Sequence, residues 1–128
     1  MIMTQDLDVY KKAHQFVLMV YRITAKFPRD EMFGLSAQMK RASVSINSNL
    51  MEGGARKHSG DYARFILYSR GSAAELTYQA TVAKDLNFIT EEEFAYMSNE
   101  LDGIGKMLSR LLKNISSPQS PVPSPEGN

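Results

Sequence analysis

The sequence predicts an all-α protein, an antiparallel up-down-up-down four-helix bundle, and three observations carry that prediction. Apolar residues recur at helical spacing through almost the whole of the first 115 residues. No segment of useful length alternates apolar and polar residues as a half-buried strand would. The connections between the helical segments are short, which makes successive helices antiparallel neighbours.

The first helix is expected from about Asp8 to Phe27. Val9, Ala13, Phe16, Val20, Ile23 and Phe27 step alternately by 4 and 3 and so share one face, and Pro28 stops the helix. After Arg29–Gly34, the residues Leu35, Met39, Ala42, Ile46 and Leu50 form a second stripe. It ends at Gly53 and Gly54, where a left-handed residue is least costly. Ser59 is the expected N-cap of a third helix, with Asp61 in its first turn, where a carboxylate is favoured by the exposed N–H groups. That helix carries Tyr62, Phe65, Ile66, Ala73, Leu76, Ala80, Ala83 and Leu86 and runs to about Asn87, roughly 42 Å at 1.5 Å per residue. Thr90 and Glu93 form a capping box at the start of the fourth helix. There Phe94, Met97, Leu101, Ile104, Leu108, Leu111 and Ile115 keep an a/d heptad seam. Residues 116–128 hold four of the five prolines and one apolar residue, Val122, and read as a disordered Pro/Ser-rich tail after a single domain over 1–115.

Composition excludes several kinds of function. A chain of 128 residues that is 43% hydrophobic and 23% charged suits one domain. With no cysteine there are no disulfides, thiolate metal sites or cysteine nucleophiles, which fits a reducing cytoplasm. Only His14 and His58 supply imidazole; His14 has no second His or carboxylate at metal-ligand spacing, and His58 sits in a polar turn. The longest apolar run, Phe16–Tyr21, is far short of the roughly 20 residues that span a bilayer, and no leader pattern follows Met1. Membrane association and secretion are therefore not expected, and the expected location is the cytoplasm. Walker-A, GxGxxG, HExxH and GxSxG patterns do not occur, nor does the inward Glu-x-x-His pair of a di-iron bundle. Glu52–Lys57 matches a phosphate loop in composition only, since it follows a helix and lacks the spacing. The expectation is a protein with no catalytic residues, metal or cofactor.

Two sets of residues do not suit a plain bundle. Gln38, Arg41, Ser45, Asn49 and Glu52 step by 3, 4, 4 and 3 along the second helix, a polar stripe of small and amide residues with modest helix propensity. On the third helix Ser72, Glu75 and Gln79 share a side, beside Gly71, whose place in a helix interior costs about 1 kcal/mol relative to alanine and suggests close approach of another helix. The economical reading is a structural polar network of Gln38, Arg41, Ser45, Asn49, Glu52, Ser72 and Glu75, in which Arg41 pairs with Glu75 or Glu52.

Charge is the second set. The net +1 conceals a basic first part, with eleven Lys+Arg against six Asp+Glu in residues 1–74, and an acidic segment, Asp85–Asp102, with six carboxylates and no Lys or Arg. Lys11, Lys12, Arg22 and Lys26 on the first helix, and Arg56, Lys57, Arg64 and Arg70 around the second turn and third helix, are the candidate nucleic-acid contacts, because several cations on a polyanion gain from counterion release. The same cations could instead meet the acidic segment of a neighbouring subunit.

Several segments, in this order and spacing, resemble a known family: Phe27-Pro-Arg-Asp-Glu-Met-Phe-Gly-Leu35, Gln38-Met-Lys-Arg-Ala-Ser-Val-Ser-Ile46, Asn49-Leu-Met-Glu-Gly53 and Gly71-Ser-Ala-Ala-Glu-Leu76. Over roughly residues 6–114 the chain resembles the bacterial four-helix bundle proteins named after the intervening sequences of 23S ribosomal RNA. Phe33 stands where such relatives often carry Tyr before the Gly-Leu pair. The resemblance implies a non-enzymatic bundle assembling as a ring, a homopentamer, and an association with ribosomal RNA that is genetic. More loosely, the family is similar to the accessory variability proteins of diversity-generating retroelements, pentameric barrels that bind nucleic acid and a reverse transcriptase. Three functional readings follow: an oligomer binding RNA or a nucleoprotein through its basic surface, an assembly scaffold without nucleic-acid binding, and a small-molecule-binding bundle.

Overall fold

A computed structural model describes residues 4–116 as four α-helices, α1 (Thr4–Thr24), α2 (Leu35–Gly54), α3 (Ser59–Asp85) and α4 (Glu91–Ser116), with a short 3-10 turn at Arg29–Glu31. Among the described residues there is no strand. The expected tail lies, from residue 117, outside the described residues. Helix α1 packs on α2 and α4, α2 on α3, and α3 on α4, closing a four-helix bundle.

The stripes read from the sequence are the core. All six positions of the first stripe are buried, five on α1 and Phe27 just beyond it, as are Met39, Ala42, Ile46 and Leu50 of α2 and Met97, Leu101, Ile104, Leu108 and Leu111 of α4. Burial of each larger apolar side chain stabilises the fold by about 1.5–3 kcal/mol. Helix α3 contributes Ile66, Ala73, Leu76, Ala80 and Ala83, whereas Leu86, expected in the same stripe, is 52% exposed.

The helix ends differ from expectation in ways that local chemistry explains. Helix α1 stops at Thr24 rather than Phe27. The N–H groups of Lys26 and Phe27 bond back three residues, to the carbonyls of Ile23 and Thr24, and this tighter turn swings Phe27 into the core against Phe88, with ring centroids 5.2 Å apart. Gly34 precedes α2 without a side-chain cap; instead Glu31 Oε1 accepts the Leu35 N–H at 3.0 Å, placing a carboxylate at the positive end of the helix. Gly53 and Gly54 lie inside α2, buried, and neither has a positive φ. Their role is packing: a Cβ on Gly53 would sit 2.7 Å from Phe65 Cβ and 2.9 Å from Tyr62 Cδ1, so the end of α2 lies against α3. Ser59 is the first residue of α3, not its cap, and His58 before it makes no side-chain cap bond. Helix α3 ends at Asp85, two residues before the expected end, and the left-handed Asn87, with φ 64°, closes it: Asn87 N–H bonds the Lys84 carbonyl and Phe88 N–H bonds the Ala83 carbonyl in a Schellman arrangement. The capping box of α4 is formed, with Thr90 N–H donating to Glu93 Oε1 at 2.9 Å and Glu93 N–H donating to Thr90 Oγ1 at 3.0 Å.

Candidate functional site

Part of the polar stripe forms a network between α2 and α3. Ser45 and Ser72 share a hydroxyl hydrogen bond. Asn49 Nδ2 donates to the Ser45 carbonyl at 2.9 Å and to its hydroxyl at 3.3 Å, and buried Ser69 donates to the Ile46 carbonyl at 2.7 Å. The charged members do not join as expected. Glu52 pairs with Arg56 one turn away, at 2.7 Å, and Glu75 accepts from Gln79 Nε2 at 3.2 Å. Arg41 has no ion-pair partner among the described residues; it is exposed and lines an open recess of about 200 Å³ with Gln38, Ser45 and Glu75. With both candidate acids engaged locally, the guanidinium keeps its hydration. Gly71 is also exposed, and a Cβ there would meet nothing within 4 Å, so no helix of its own chain lies close to it.

The eight expected nucleic-acid contacts divide in two. Lys12 pairs with Glu100 at 3.1 Å, and Lys26 pairs with Glu93, both bridging α1 to α4. Arg56 pairs with Glu52 and lies over the Phe65 ring, 4.9 Å from its centroid; Arg64 pairs with Asp61 at 3.4 Å and approaches the same ring. By contrast Lys11, Arg22, Lys57 and Arg70 are exposed and have no ion-pair partner among the described residues. Lys11 and Arg22 are eleven residues apart, close to three helical turns, so both lie on the outer face of α1, roughly 16 Å apart.

The Lys26 contact also acts on the acidity of Glu93. It donates to the Glu93 carboxylate, and together with the Thr90 backbone N–H it holds the Glu93 carboxyl below the ordinary carboxylate range.

Cations that the sequence reading did not single out occupy α4. Lys106, Arg110 and Lys113 step by 4 and 3 and, with Arg70 of α3, rim a groove of about 670 Å³ between the two helices. Its floor is mainly apolar, Ala73, Ala74, Leu101 and Gly105, with Thr77 and Ser98 beside them, and Asp102 lines it as well. Lys106 pairs with Asp102 at 3.1 Å, whereas Arg70, Arg110 and Lys113 have no ion-pair partner among the described residues. The 4-and-3 spacing of these cations was available in the sequence, but the heptad reading of α4 followed only its buried seam.

Among the described residues no three His, Cys, Asp or Glu side chains converge as metal ligands, and no helix is long and apolar enough to cross a membrane. His14 stacks on Tyr10, with centroids 6.3 Å apart, and His58 is exposed.

Comparison with known proteins bears on the fold and the family. A crystal structure of a protein with unknown function from the S23 ribosomal protein family of Bacteroides thetaiotaomicron superposes with a TM-score of 0.79 at 22% identity, covering 86% of this chain and 99% of that one. This likeness is one of fold. No curated protein matches the chain. The family described as 23S rRNA-intervening sequence protein matches residues 5–110, nearly the whole bundle, and the chain belongs to that family.

Proposed function

We propose that this protein is a non-enzymatic helical bundle that assembles with its own copies, as a homopentameric ring, and contacts RNA or a nucleoprotein through cations that the single chain leaves unpaired. Its helices alternate in direction. Contacts that descend on one helix as they ascend on the next support that topology: Lys12 meets Glu100 and Lys26 meets Glu93, while Ser36 bonds the Thr24 carbonyl and Asn47 the Tyr10 carbonyl.

One observation carries the RNA reading. Lys11, Arg22 and Lys57 are exposed cations without ion-pair partners among the described residues, although the chain as a whole is close to neutral. Repetition around an oligomer would link several modest patches and raise avidity without a high charge on each subunit. Fluorescence anisotropy of a labelled RNA hairpin across a salt series tests this. Affinity should fall as salt rises, and in a Lys11→Ala, Arg22→Ala, Lys57→Ala variant the log–log salt slope should be shallower by about 2–3, at roughly 0.7–0.9 per lost phosphate contact. No binding at low salt, or binding indifferent to salt, contradicts the reading.

A second reading, the scaffold without nucleic acid, is favoured by the other half of the expected contacts. Lys12, Lys26, Arg56 and Arg64 are already engaged by carboxylates of the same chain. An intact oligomer that ignores RNA would select it.

A further inference from the structure

The α3–α4 groove combines an apolar floor with a cationic rim, and its three unpaired cations, Arg70, Arg110 and Lys113, are exposed. Gly105 in that floor has nothing within 4 Å of the position a Cβ would take, so the groove is open at a helix-interior glycine that costs about 1 kcal/mol relative to alanine. The complementary shape and charge would be an apolar knob collared by carboxylates.

The same chain carries such a knob. At the α3–α4 corner Leu86 is 52% exposed, next to the left-handed Asn87 that makes the turn. Around it in sequence stand Asp85, whose side chain is 69% exposed and only 3.9 Å from Lys84, and Glu91 and Glu92, exposed and without ion-pair partners among the described residues. Two unpaired carboxylates, with Asp85 held only at 3.9 Å by Lys84, are thus available to three unpaired cations, and a net charge of +1 per chain leaves little overall repulsion between copies.

The knob cannot enter its own groove. Glu92 and Arg110 lie on one continuous helix, 18 residues and roughly 27 Å apart along the axis. We therefore propose that the α3–α4 corner of one copy, led by Leu86 with Asp85, Glu91 and Glu92, docks into the α3–α4 groove of a second copy, against Arg70, Arg110 and Lys113. Because the contact joins two different patches, it is heterologous: it repeats head to tail and closes into a ring where the rotation between copies permits. This inference rests on the self-assembly part of the proposed function and assigns it a surface.

The test is the mass of the full chain by light scattering coupled to size-exclusion chromatography, at low salt and over a concentration series. Four proteins are compared: wild type, Arg110→Glu/Lys113→Glu, Glu91→Lys/Glu92→Lys, and the chain with all four changes, whose groove and corner are again complementary. Circular dichroism confirms helix content in each. Both double variants should dissociate on the order of tenfold more readily than wild type, and the fourfold variant should recover. Gly105→Leu, at a position where a Cβ meets nothing within 4 Å, puts bulk into the socket and should dissociate without reversing any charge. A wild type that is monomeric throughout removes the self-assembly reading and this contact together. An oligomer that persists in both double variants leaves self-assembly standing and overturns this contact, as does a fourfold variant that fails to recover. Loss of RNA binding at unchanged mass in Arg110→Glu/Lys113→Glu also overturns it, making the groove a phosphate site.

Discussion

Residues whose roles rest on neighbours in the chain were legible, and those whose roles rest on distant partners were not. Thr90 and Glu93 lie three apart, so the sequence alone announces the capping box, and both of its bonds are formed. What it could not announce is Lys26, 67 positions away, which donates to the same carboxylate. Thr90→Ala should cost about 1 kcal/mol, read as a lower midpoint in denaturant unfolding. Because the Glu93 pKa is lowered in the folded state, its contribution is present above the ordinary carboxylate range and is lost as pH falls through the lowered value. Glu93→Gln should therefore lower the melting temperature at pH 7 and have little effect near pH 2. Two glycines make a matched pair at the same scale. Gly53→Ala forces a Cβ against Phe65 and Tyr62 and should destabilise, since overpacking costs about 1–3 kcal/mol. Gly71→Ala meets open space and should stabilise by about 1 kcal/mol, the difference in helix propensity. Thermal melts of the two variants should move in opposite directions. Sequence reasoning had these two reversed, assigning a turn to Gly53 and close packing to Gly71, because spacing along one helix does not say which neighbour faces it.

Among the elements, α4 was the most legible and α3 the least. The heptad seam of α4 is sustained over its length, so its buried positions are the ones that periodicity marks, from Met97 to Leu111. Leu108→Ala, at a fully buried position, should cost about 2–5 kcal/mol in equilibrium unfolding, whereas truncation of exposed Lys113 should leave stability nearly unchanged. Helix α3 spreads its apolar residues around its circumference: Ile66 and Leu76 are buried, while Leu67 is 49% and Tyr78 70% exposed. A helix with apolar residues on both faces gives a blurred period, which is why Leu86 was placed in the core and is found at an exposed corner. Helix ends missed by two or three residues where hydrogen bonds with a different period, as at Lys26 and Phe27, or a left-handed residue, as at Asn87, decided the end.

For the whole molecule, the bundle was legible because four helices with one apolar face each have few ways to bury it. The surface was not, because net charge and charge order in the sequence do not say which ions find each other. Once paired, Lys12, Lys26, Arg56 and Arg64 are part of the bundle's own electrostatics. What is left among the described residues, Lys11, Arg22, Arg29, Arg41, Lys57, Arg70, Arg110 and Lys113 against Asp8, Asp30, Glu91 and Glu92, with Asp85 only loosely held by Lys84, is the charge available to other molecules. The central claim is that part of this remainder, Arg70, Arg110 and Lys113 against the acidic α3–α4 corner, is satisfied by further copies of the chain. The most direct measurement is the absolute mass of the purified full chain in solution by multi-angle light scattering. The account expects an assembly of five chains of 14.4 kDa, about 72 kDa, that weakens as salt rises. A 14.4 kDa monomer that persists at high concentration and low salt would contradict it.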